Sequence, residues 1–258
     1  MTDVTATPEL RASLSVDLPV VILCGGKGTR LGAGQTLPKP LVEVGGRPIV
    51  QHVVELYAAQ GRRRFLLAAG YRADLLAAAV ASIAWPDGVT VEAIDTGIET
   101  ETGGRILRLR DRLAGETFHV TYADGLADID LDRLQARHVA AGRSATITVV
   151  RPELPFGVVD VGDDGAVVGF REKPRSRDWI NGGFMIFAPD VFDVLDDDAT
   201  LEREPFERLA AEQRLHSAPH EGFWACMDTY KDARRLNELW ESGRAPWTTV
   251  ATPSGDRR

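Results

Sequence analysis

Residues 20–40 have the sequence VVILCGGKGTRLGAGQTLPKP. An apolar run, typical of a buried strand, ends directly in glycines, and three cations follow at Lys27, Arg30 and Lys39. Glycines let backbone N–H groups approach an anion without a side chain in the way, and the cations supply charged donors. The stretch therefore has two interpretations: an ordinary solvated turn after a strand, or a loop that holds phosphate groups. Neither GxxxxGKS/T nor GxGxxG is present in it.

The composition is that of an ordinary globular protein, and it excludes several classes of function. The chain has 258 residues, 44% of them hydrophobic, and a formal net charge of -8. General binding to nucleic acid or to an anionic membrane would require a net basic surface. No apolar run reaches the ~18 residues of a membrane helix, and residues 1–18 lack the apolar core of a signal peptide. We therefore expect a cytoplasmic enzyme, with Cys24 and Cys226 as buried thiols rather than a disulfide.

Strand and helix patterns alternate along the first half of the chain. Apolar runs such as VVILC and RFLLAAG are followed by helical patterns such as Pro48–Gln60. This alternation predicts an α/β fold with a doubly wound, mostly parallel, Rossmann-like sheet. In GGRILRLRDRL, Ile106, Leu109 and Leu113 stand at helical spacing and predict one helix. Later runs joined by tight turns, such as VDVGDDGAVVGF, predict a smaller mixed β part.

Two aspartates stand where a metal ligand is expected. Asp124 ends an apolar strand in TYADG, and Asp228 lies in the aromatic setting of FWACMDT. A single aspartate is more often a turn residue or a helix cap, and Asp130 is predicted to be an N-cap. If the glycine loop holds phosphate groups, a carboxylate at a strand end facing it would suit Mg²⁺, which takes few carboxylates together with phosphate oxygens and water.

Several motifs together resemble those of the sugar-1-phosphate nucleotidyltransferases. The glycine loop reads GGxGTRL, and PKPL follows it closely. Further stretches of the same kind are VEVGGRPIVQHV, AGYRADLL, IDTGIETETGGRILRL, TYADGLADID, FREKP, INGGFMIF and GFWACMDTYKD. The pattern covers roughly residues 19 to 250 and is most similar to the glucose-1-phosphate cytidylyltransferase branch. This resemblance implies the nucleotide-diphospho-sugar transferase fold and favours the phosphate-holding interpretation of the loop.

The resemblance also implies four sets of site residues. The set implied to bind the nucleotide is Leu23, Gly25, Gly26, Gly28, Thr29, Arg30, Lys39, Thr102, Gly103 and Arg105. The set implied to bind the sugar phosphate is Tyr122, Glu172, Lys173, Asn181, Gly182 and Trp224. Arg30, Lys39 and Lys173 are implied to be catalytic, and Asp124 and Asp228 to hold one Mg²⁺. For Tyr122 and Trp224, a role in the core explains the aromatic side chain equally well.

The implied reaction transfers a nucleotidyl group from CTP to α-D-glucose 1-phosphate and gives CDP-glucose and pyrophosphate. The acceptor phosphate is already ionised at neutral pH, so the protein has to position two polyanions and neutralise their charge. A homo-oligomer is the usual arrangement in such enzymes. Two alternatives stay open: another nucleotide or another sugar or cyclitol phosphate, and a non-catalytic regulatory subunit. The connection before VTVEAIDTG is shorter than in the glucose-1-phosphate cytidylyltransferase pattern, which favours a different substrate. The intact set of cations and carboxylates argues against a regulatory subunit.

The organisation that follows is a single nucleotidyltransferase domain over residues 18–250. No linker, internal repeat or low-complexity segment interrupts it. Residues 18–143 are expected to form the nucleotide-binding half, and residues 144–250 the half that binds the sugar phosphate. Residues 1–17 are expected to form a flexible leader, and residues 251–258 a tail.

Overall fold

A computed structural model of the chain describes residues 17–26, 37–113 and 115–249. The strands in chain order are β1 Val20–Cys24, β2 Glu43–Val44, β3 Arg47–Pro48, β4 Arg64–Ala69, β5 Thr90–Asp95, β6 Phe118–Tyr122, β7 Gly125–Ala127, β8 Ala145–Val150, β9 Val158–Val161, β10 Val167–Arg171, β11 Ile180–Phe187, β12 Leu215–Pro219 and β13 Trp224–Cys226. The α-helices are α1 Ile49–Ala58, α2 Ala73–Ser82, α3 Thr102–Leu107, α4 Arg110–Leu113, α5 Leu131–Ala141, α6 Glu204–Ala211 and α7 Tyr230–Glu241. Short 3₁₀ helices span Lys39–Leu41, Pro189–Val194 and Pro246–Thr248.

Seven strands form the central sheet, in the order β12-β8-β11-β6-β1-β4-β5. β1 is parallel to β4 and β6, β4 is parallel to β5, and β8 is parallel to β12. β11 runs antiparallel to both of its neighbours, β6 and β8. The predicted mostly parallel sheet is therefore confirmed. Because β1, β4 and β6 run the same way, their carboxyl ends and the amino end of β11 meet at one edge of the sheet.

Both faces of the central strand β1 are covered, which explains its unbroken apolar sequence. Val20 and Ile22 point into one core cluster, together with Tyr57 of α1. Val21 and Leu23 point into a second cluster on the opposite face, which includes residues of α3 and α4. All five residues of β1 are buried. After β1 ends, the chain leaves the core at Gly25 and Gly26, and Gly26 is exposed.

The second half of the chain extends the same sheet. β8, β11 and β12 join it, and β9 and β10 form a separate antiparallel hairpin that agrees with the predicted mixed β part. The segment predicted as one helix around Ile106, Leu109 and Leu113 is two short helices, α3 and α4. At the break, the N–H of Leu109 bonds to the carbonyl of Ile106, three residues back, instead of four residues back as in an α-helix. The side chains of Ile106, Leu109 and Leu113 are nevertheless all buried.

Several smaller predictions also have an outcome. The carboxylate of Asp130 accepts a hydrogen bond of 2.8 Å from the N–H of Arg133 and caps α5, as predicted. Both cysteines are free thiols: Cys24 is buried, and Cys226 is half-buried. No helix within the ranges given above is long and apolar enough to cross a membrane.

Candidate active site

A cavity of about 320 Å³ opens at the edge of the sheet where β1 and β6 end. Nine of the site residues implied by the sequence line it: Leu23, Gly25, Gly26, Lys39, Thr102, Arg105, Tyr122, Asp124 and Asp228. Three further ones, Gly28, Thr29 and Arg30, lie outside the described residues. Cys24, Pro40 and Ala123 are the other described residues that line it. Residues far apart in the sequence therefore meet where an open α/β sheet binds its ligands.

A two-stranded ribbon brings the two aspartates together. β13 pairs antiparallel with β7, so that Cys226 stands opposite Gly125. The N–H of Met227 then bonds to the carbonyl of Asp124 at 2.9 Å. Asp228 follows and leads into α7, whose first turn is closed by a capping box between Thr229 and Asp232. The strand end fixes one carboxylate, and the helix start fixes the other.

Lys39 holds both carboxylates. Its ammonium pairs with Asp124, and it lies 2.6 Å from Oδ1 of Asp228. Pro38 has an extended backbone, and Pro40 follows Lys39 in a 3₁₀ turn, so the PKP sequence restrains the direction of the lysine. Burial by itself would lower the pKa of Lys39, but the charge and hydrogen bond of Asp124 outweigh it and raise the pKa above its usual value. The lysine is therefore charged at neutral pH.

The carboxylates fit a hard divalent cation. Ligand atoms of Asp124, Cys226 and Asp228 lie within 4.8 Å of one another. Burial, and after it the charge of Asp124, raises the pKa of the Cys226 thiol well above its usual value, so the sulfur stays protonated. A protonated thiol is a poor ligand, whereas two carboxylates suit Mg²⁺. Their oxygens already converge on one cation, the Lys39 ammonium, which supports the fit.

Arg105 lines the cavity and is held there by hydrogen bonds. Its Nη1 donates to the carbonyl of Ala69 at 2.9 Å, to Oγ1 of Thr96 at 2.8 Å and to the carbonyl of Gly97 at 2.8 Å. A Cβ added to Gly25 would lie 1.9 Å from Cζ of Arg105. A side chain at position 25 would therefore displace the Arg105 guanidinium from these hydrogen bonds, a reason for the glycine that the loop motif did not reveal. Burial lowers the pKa of Arg105.

The glycines of the TGGR motif have a structural task. The N–H groups of Gly103 and Gly104 both bond to the carbonyl of Ala199, at 2.8 and 3.2 Å. A Cβ on Gly103 would meet that carbonyl at 2.7 Å, and a Cβ on Gly104 would meet the carbonyl of Asp197 at 2.2 Å. The N–H of Gly103, which the resemblance implied for nucleotide binding, is therefore already used within the protein. Binding by Gly103 stays a prediction.

The residues implied for the sugar phosphate divide into two groups. Asn181 reaches the cavity through Tyr122, because its Nδ2 donates to the Tyr122 hydroxyl at 3.3 Å. Trp224 donates from Nε1 to the carbonyl of Gly182 at 2.8 Å, at the same end of β11. These four residues form one wall beside the cavity.

Glu172 and Lys173 form the second group. They follow the hairpin strand β10 and are exposed, and Nζ of Lys173 lies 3.8 Å from Oε1 of Glu172. Neither of them lines the cavity, so the structure does not bring them to the carboxylates. Lys173 has a left-handed backbone with φ of 44°, which is uncommon for a side-chain-bearing residue.

One residue beside the cavity was missed by the sequence analysis. Oε2 of Glu202 accepts a hydrogen bond of 2.7 Å from Oγ1 of Thr102, and Oε1 accepts one from the Tyr122 hydroxyl. Its segment, TLEREPF, matches none of the motifs quoted above, and an exposed glutamate before a helix usually has no special role. No signal in the sequence could have indicated it.

The profile of the Nucleotidyl transferase family matches residues 19–241. The chain belongs to this family. It therefore has the fold and the enzyme class that its motifs implied.

Two curated members of the nucleotidyltransferases show how far the similarity extends. The glucose-1-phosphate cytidylyltransferase of Salmonella typhi is 37% identical over 258 residues, which cover 90% of this chain and 99% of that protein. The mannose-1-phosphate guanyltransferase of Schizosaccharomyces pombe is 34% identical over 225 residues, which cover 83% of this chain and 62% of that protein. The resemblance inferred from the motifs is thereby confirmed.

A solved structure supports the architecture. HddC from Yersinia pseudotuberculosis superposes with a TM-score of 0.66 at 21% identity, over 86% of this chain and 99% of that one. At this level of identity the likeness concerns the fold, and it agrees with the mostly parallel sheet of the nucleotidyltransferase family.

Proposed function

We propose that the chain transfers a cytidylyl group from CTP to α-D-glucose 1-phosphate, forming CDP-glucose and releasing pyrophosphate. The observation that carries the proposal is that Lys39, Asp124 and Asp228 meet in the cavity, which Gly25 also lines. The relative from Salmonella typhi, matched over 99% of its length and named for this reaction, supports the choice of substrates.

The residues have distinct tasks in this proposal. Two polyanions must approach each other, and Lys39, Arg30 and Lys173 offset their repulsion. Asp124 and Asp228 would hold Mg²⁺, which when bound neutralises charge on the triphosphate. An oxygen of the sugar phosphate forms a bond to the α-phosphorus while the bond to the pyrophosphate oxygen breaks. Positioning supplies most of the catalysis, and no side chain has to become covalently attached.

A second candidate is guanylyl transfer to mannose 1-phosphate. The relative from Schizosaccharomyces pombe favours it, because it is 34% identical over 83% of this chain. The same relative extends well beyond the match, since the chain covers 62% of its length. Both candidates use the same chemistry and differ in the base and the sugar.

Pyrophosphate release separates these candidates. Purified protein is incubated with Mg²⁺, glucose 1-phosphate and, one at a time, CTP, UTP, GTP, ATP and dTTP, and the panel is repeated with mannose 1-phosphate and cyclitol phosphates. Release with CTP and glucose 1-phosphate is the expected result. Release with another pair would replace the substrates and keep the mechanism. No release with any pair would contradict the proposed activity.

The remaining inferences concern the organisation of the protein. We retain a single domain over residues 18–250 with halves that meet at residues 143 and 144, a homo-oligomer, and a cytoplasmic location. The continuity of one sheet through both halves supports the single domain. The homo-oligomer stays a prediction from the resemblance, and the cytoplasmic location stays a prediction from the sequence.

A further inference from the structure

The carboxylate of Glu202 connects the two sides of the cavity. It precedes α6 and is exposed, and it accepts hydrogen bonds from Thr102 at the start of α3 and from Tyr122 at the end of β6. The cavity lining includes both of these donors. One side chain thus links the helix assigned to the nucleotide with the strand end assigned to the sugar.

The segment that carries Glu202 is fixed to α3. The N–H of Leu201 donates to Oγ1 of Thr102 at 2.9 Å, while the same hydroxyl donates to Glu202. The carbonyl of Ala199 accepts from two N–H groups of the TGGR motif. Because neither glycine there has a side chain, the segment lies directly against the helix. Glu202 is therefore held in place by the contacts of Ala199 and Leu201, which precede it in the chain.

This arrangement determines where the proton of Tyr122 points. A phenol has one proton, and here it is donated to Glu202. The amide of Asn181 is also oriented: its Oδ1 accepts from the N–H of Gly183 at 3.0 Å, so that Nδ2 is left to donate to Tyr122. The Tyr122 oxygen has no further proton to offer, and a ligand that reaches it has to act as the donor.

We propose that Glu202 is a positioning and specificity-determining residue, which fixes the hydrogen-bond polarity of Tyr122 so that this wall accepts hydroxyl donors of the sugar phosphate. The inference rests on the proposed function and deepens it. An ordinary phenol keeps its proton at neutral pH, so Tyr122 remains the donor to Glu202.

The charges of the cavity support one orientation of the acceptor. A sugar 1-phosphate has an anionic end and a hydroxylated end. The Glu202 carboxylate repels the phosphate and accepts from hydroxyl groups, whereas the Lys39 ammonium would attract the phosphate once a divalent cation is held by Asp124 and Asp228. The hydroxyl groups are therefore directed to Tyr122 and Glu202, and the phosphate is directed to the cations.

The test compares Glu202→Gln and Tyr122→Phe with the wild type, using the nucleotide and acceptor that the wild type turns over. Both variants should raise the KM for the acceptor about tenfold, which corresponds to ~1.4 kcal/mol, and should change the KM for the nucleotide by less than about twofold. Because the two residues act as a unit, the double variant should have an acceptor KM no higher than that of the more impaired single variant. Glu204→Gln, an exposed glutamate in the first turn of α6, is the matched control and should behave like the wild type.

A series of monodeoxy analogues of the acceptor measures discrimination between acceptors, which would not change if Glu202 had a purely structural role. The wild type should discriminate against one analogue by about tenfold, because that analogue leaves the Tyr122 oxygen unpaired. Glu202→Gln should lose this discrimination, and thermal unfolding should confirm that it is folded. If it fails to fold, Tyr122→Phe provides the same comparison.

The possible failures are distinguishable. If the wild type uses sugar 1-phosphates and Glu202→Gln keeps the acceptor KM and the discrimination, this inference is wrong and the proposed function stands. If the variant raises both KM values equally, Glu202 only anchors α3, which also overturns the inference. If the wild type turns over no sugar 1-phosphate with any nucleotide, the proposed function fails and the inference fails with it.

Discussion

The ammonium of Lys39 lies 2.6 Å from Oδ1 of Asp228, although 189 positions separate them in the chain. The same ammonium pairs with Asp124, so a single lysine neutralises the two carboxylates assigned to the metal. The lysine and a divalent cation therefore compete for the same oxygens. A triphosphate would relieve this competition, because it offers the lysine another anion to bind.

Lys39→Met should strengthen metal binding to the protein without nucleotide. The variant removes the competing cation and keeps most of the apolar stem, so the dissociation constant for Mn²⁺ should fall about tenfold. Isothermal titration with Mn²⁺ measures the change. Lys231→Met, which alters an exposed lysine of α7, is the matched control. Unchanged Mn²⁺ affinity in Lys39→Met would mean that the two cations do not compete.

Asp124→Asn should abolish most of the turnover while the protein stays folded. The amide keeps the size of the side chain and removes the charge that would hold Mg²⁺, so kcat should fall about 1,000-fold. Asp130→Ala is the contrasting change. It removes the N-cap of α5 and should cost about 1 kcal/mol of stability with kcat unchanged. Near-normal kcat in Asp124→Asn would refute the metal assignment.

Gly25→Ala and Gly26→Ala should separate stability from ligand binding. The added methyl at Gly25 would lie 1.9 Å from Cζ of Arg105, whereas nothing lies within 4 Å of a Cβ at Gly26. Gly25→Ala should therefore lower the free energy of unfolding by about 1–3 kcal/mol. Gly26→Ala should keep the stability and weaken nucleotide binding if the loop holds phosphate. Urea unfolding and nucleotide titration measure the two effects, and equal stability of the two variants would contradict the assigned role of Arg105.

Lys173→Met tests a residue that lies outside the cavity lining. If Lys173 holds the acceptor phosphate in the bound enzyme, the variant should raise the acceptor KM about tenfold and leave the nucleotide KM nearly unchanged. Initial rates at varied acceptor concentration give the answer, with Lys231→Met again as the control. An unaltered acceptor KM would show that the exposed position of Lys173 is also its position during turnover.

His119 should make stability depend on pH. Its side chain is fully buried and packs edge-on against Tyr57, and burial, followed by the charges of Arg62 and His138, holds its pKa well below the usual value. The stability that the neutral ring contributes is present above the unfolded-state pKa of about 6.5 and is lost as the pH falls below it.

The size of this effect can be measured with one substitution. The wild type should lose about 1 kcal/mol more than His119→Leu between about pH 6.5 and 5.5. Urea unfolding at a series of pH values measures the difference. His216→Gln, at an exposed position of β12, should follow the wild type. Parallel curves for wild type and His119→Leu would exclude His119 as the source.

Local patterns were enough to predict the sheet, and the resemblance of the motifs implied most of the residues that line the cavity. The unbroken apolar sequence of β1 requires burial on both faces, and the alternation of strands and helices leads to a parallel sheet. The motifs then identified nine of the residues that line the cavity. The hairpin strands β9 and β10 and the cap at Asp130 were predictable for the same reason: each depends on neighbours a few positions away in the chain.

The remaining features depend on contacts between distant segments. The break between α3 and α4 was not predictable from the spacing of Ile106 and Leu109, since the periodicity continues through it. The pairing of β7 with β13 joins residues about a hundred positions apart in the chain, and it is this pairing that brings Asp124 beside Asp228.

By itself, the amino-acid sequence was enough to predict residues that line the cavity, among them Gly25, Gly26, Lys39 and the two aspartates. This was possible because side-chain chemistry and backbone preference depend on each residue and its neighbours in the sequence. Only the tertiary structure decided that Gly25 makes room for Arg105, that Lys39 occupies the carboxylates, and that Glu202 directs the proton of Tyr122. These are relationships between side chains that meet only after the sheet has formed, and no local pattern encodes them.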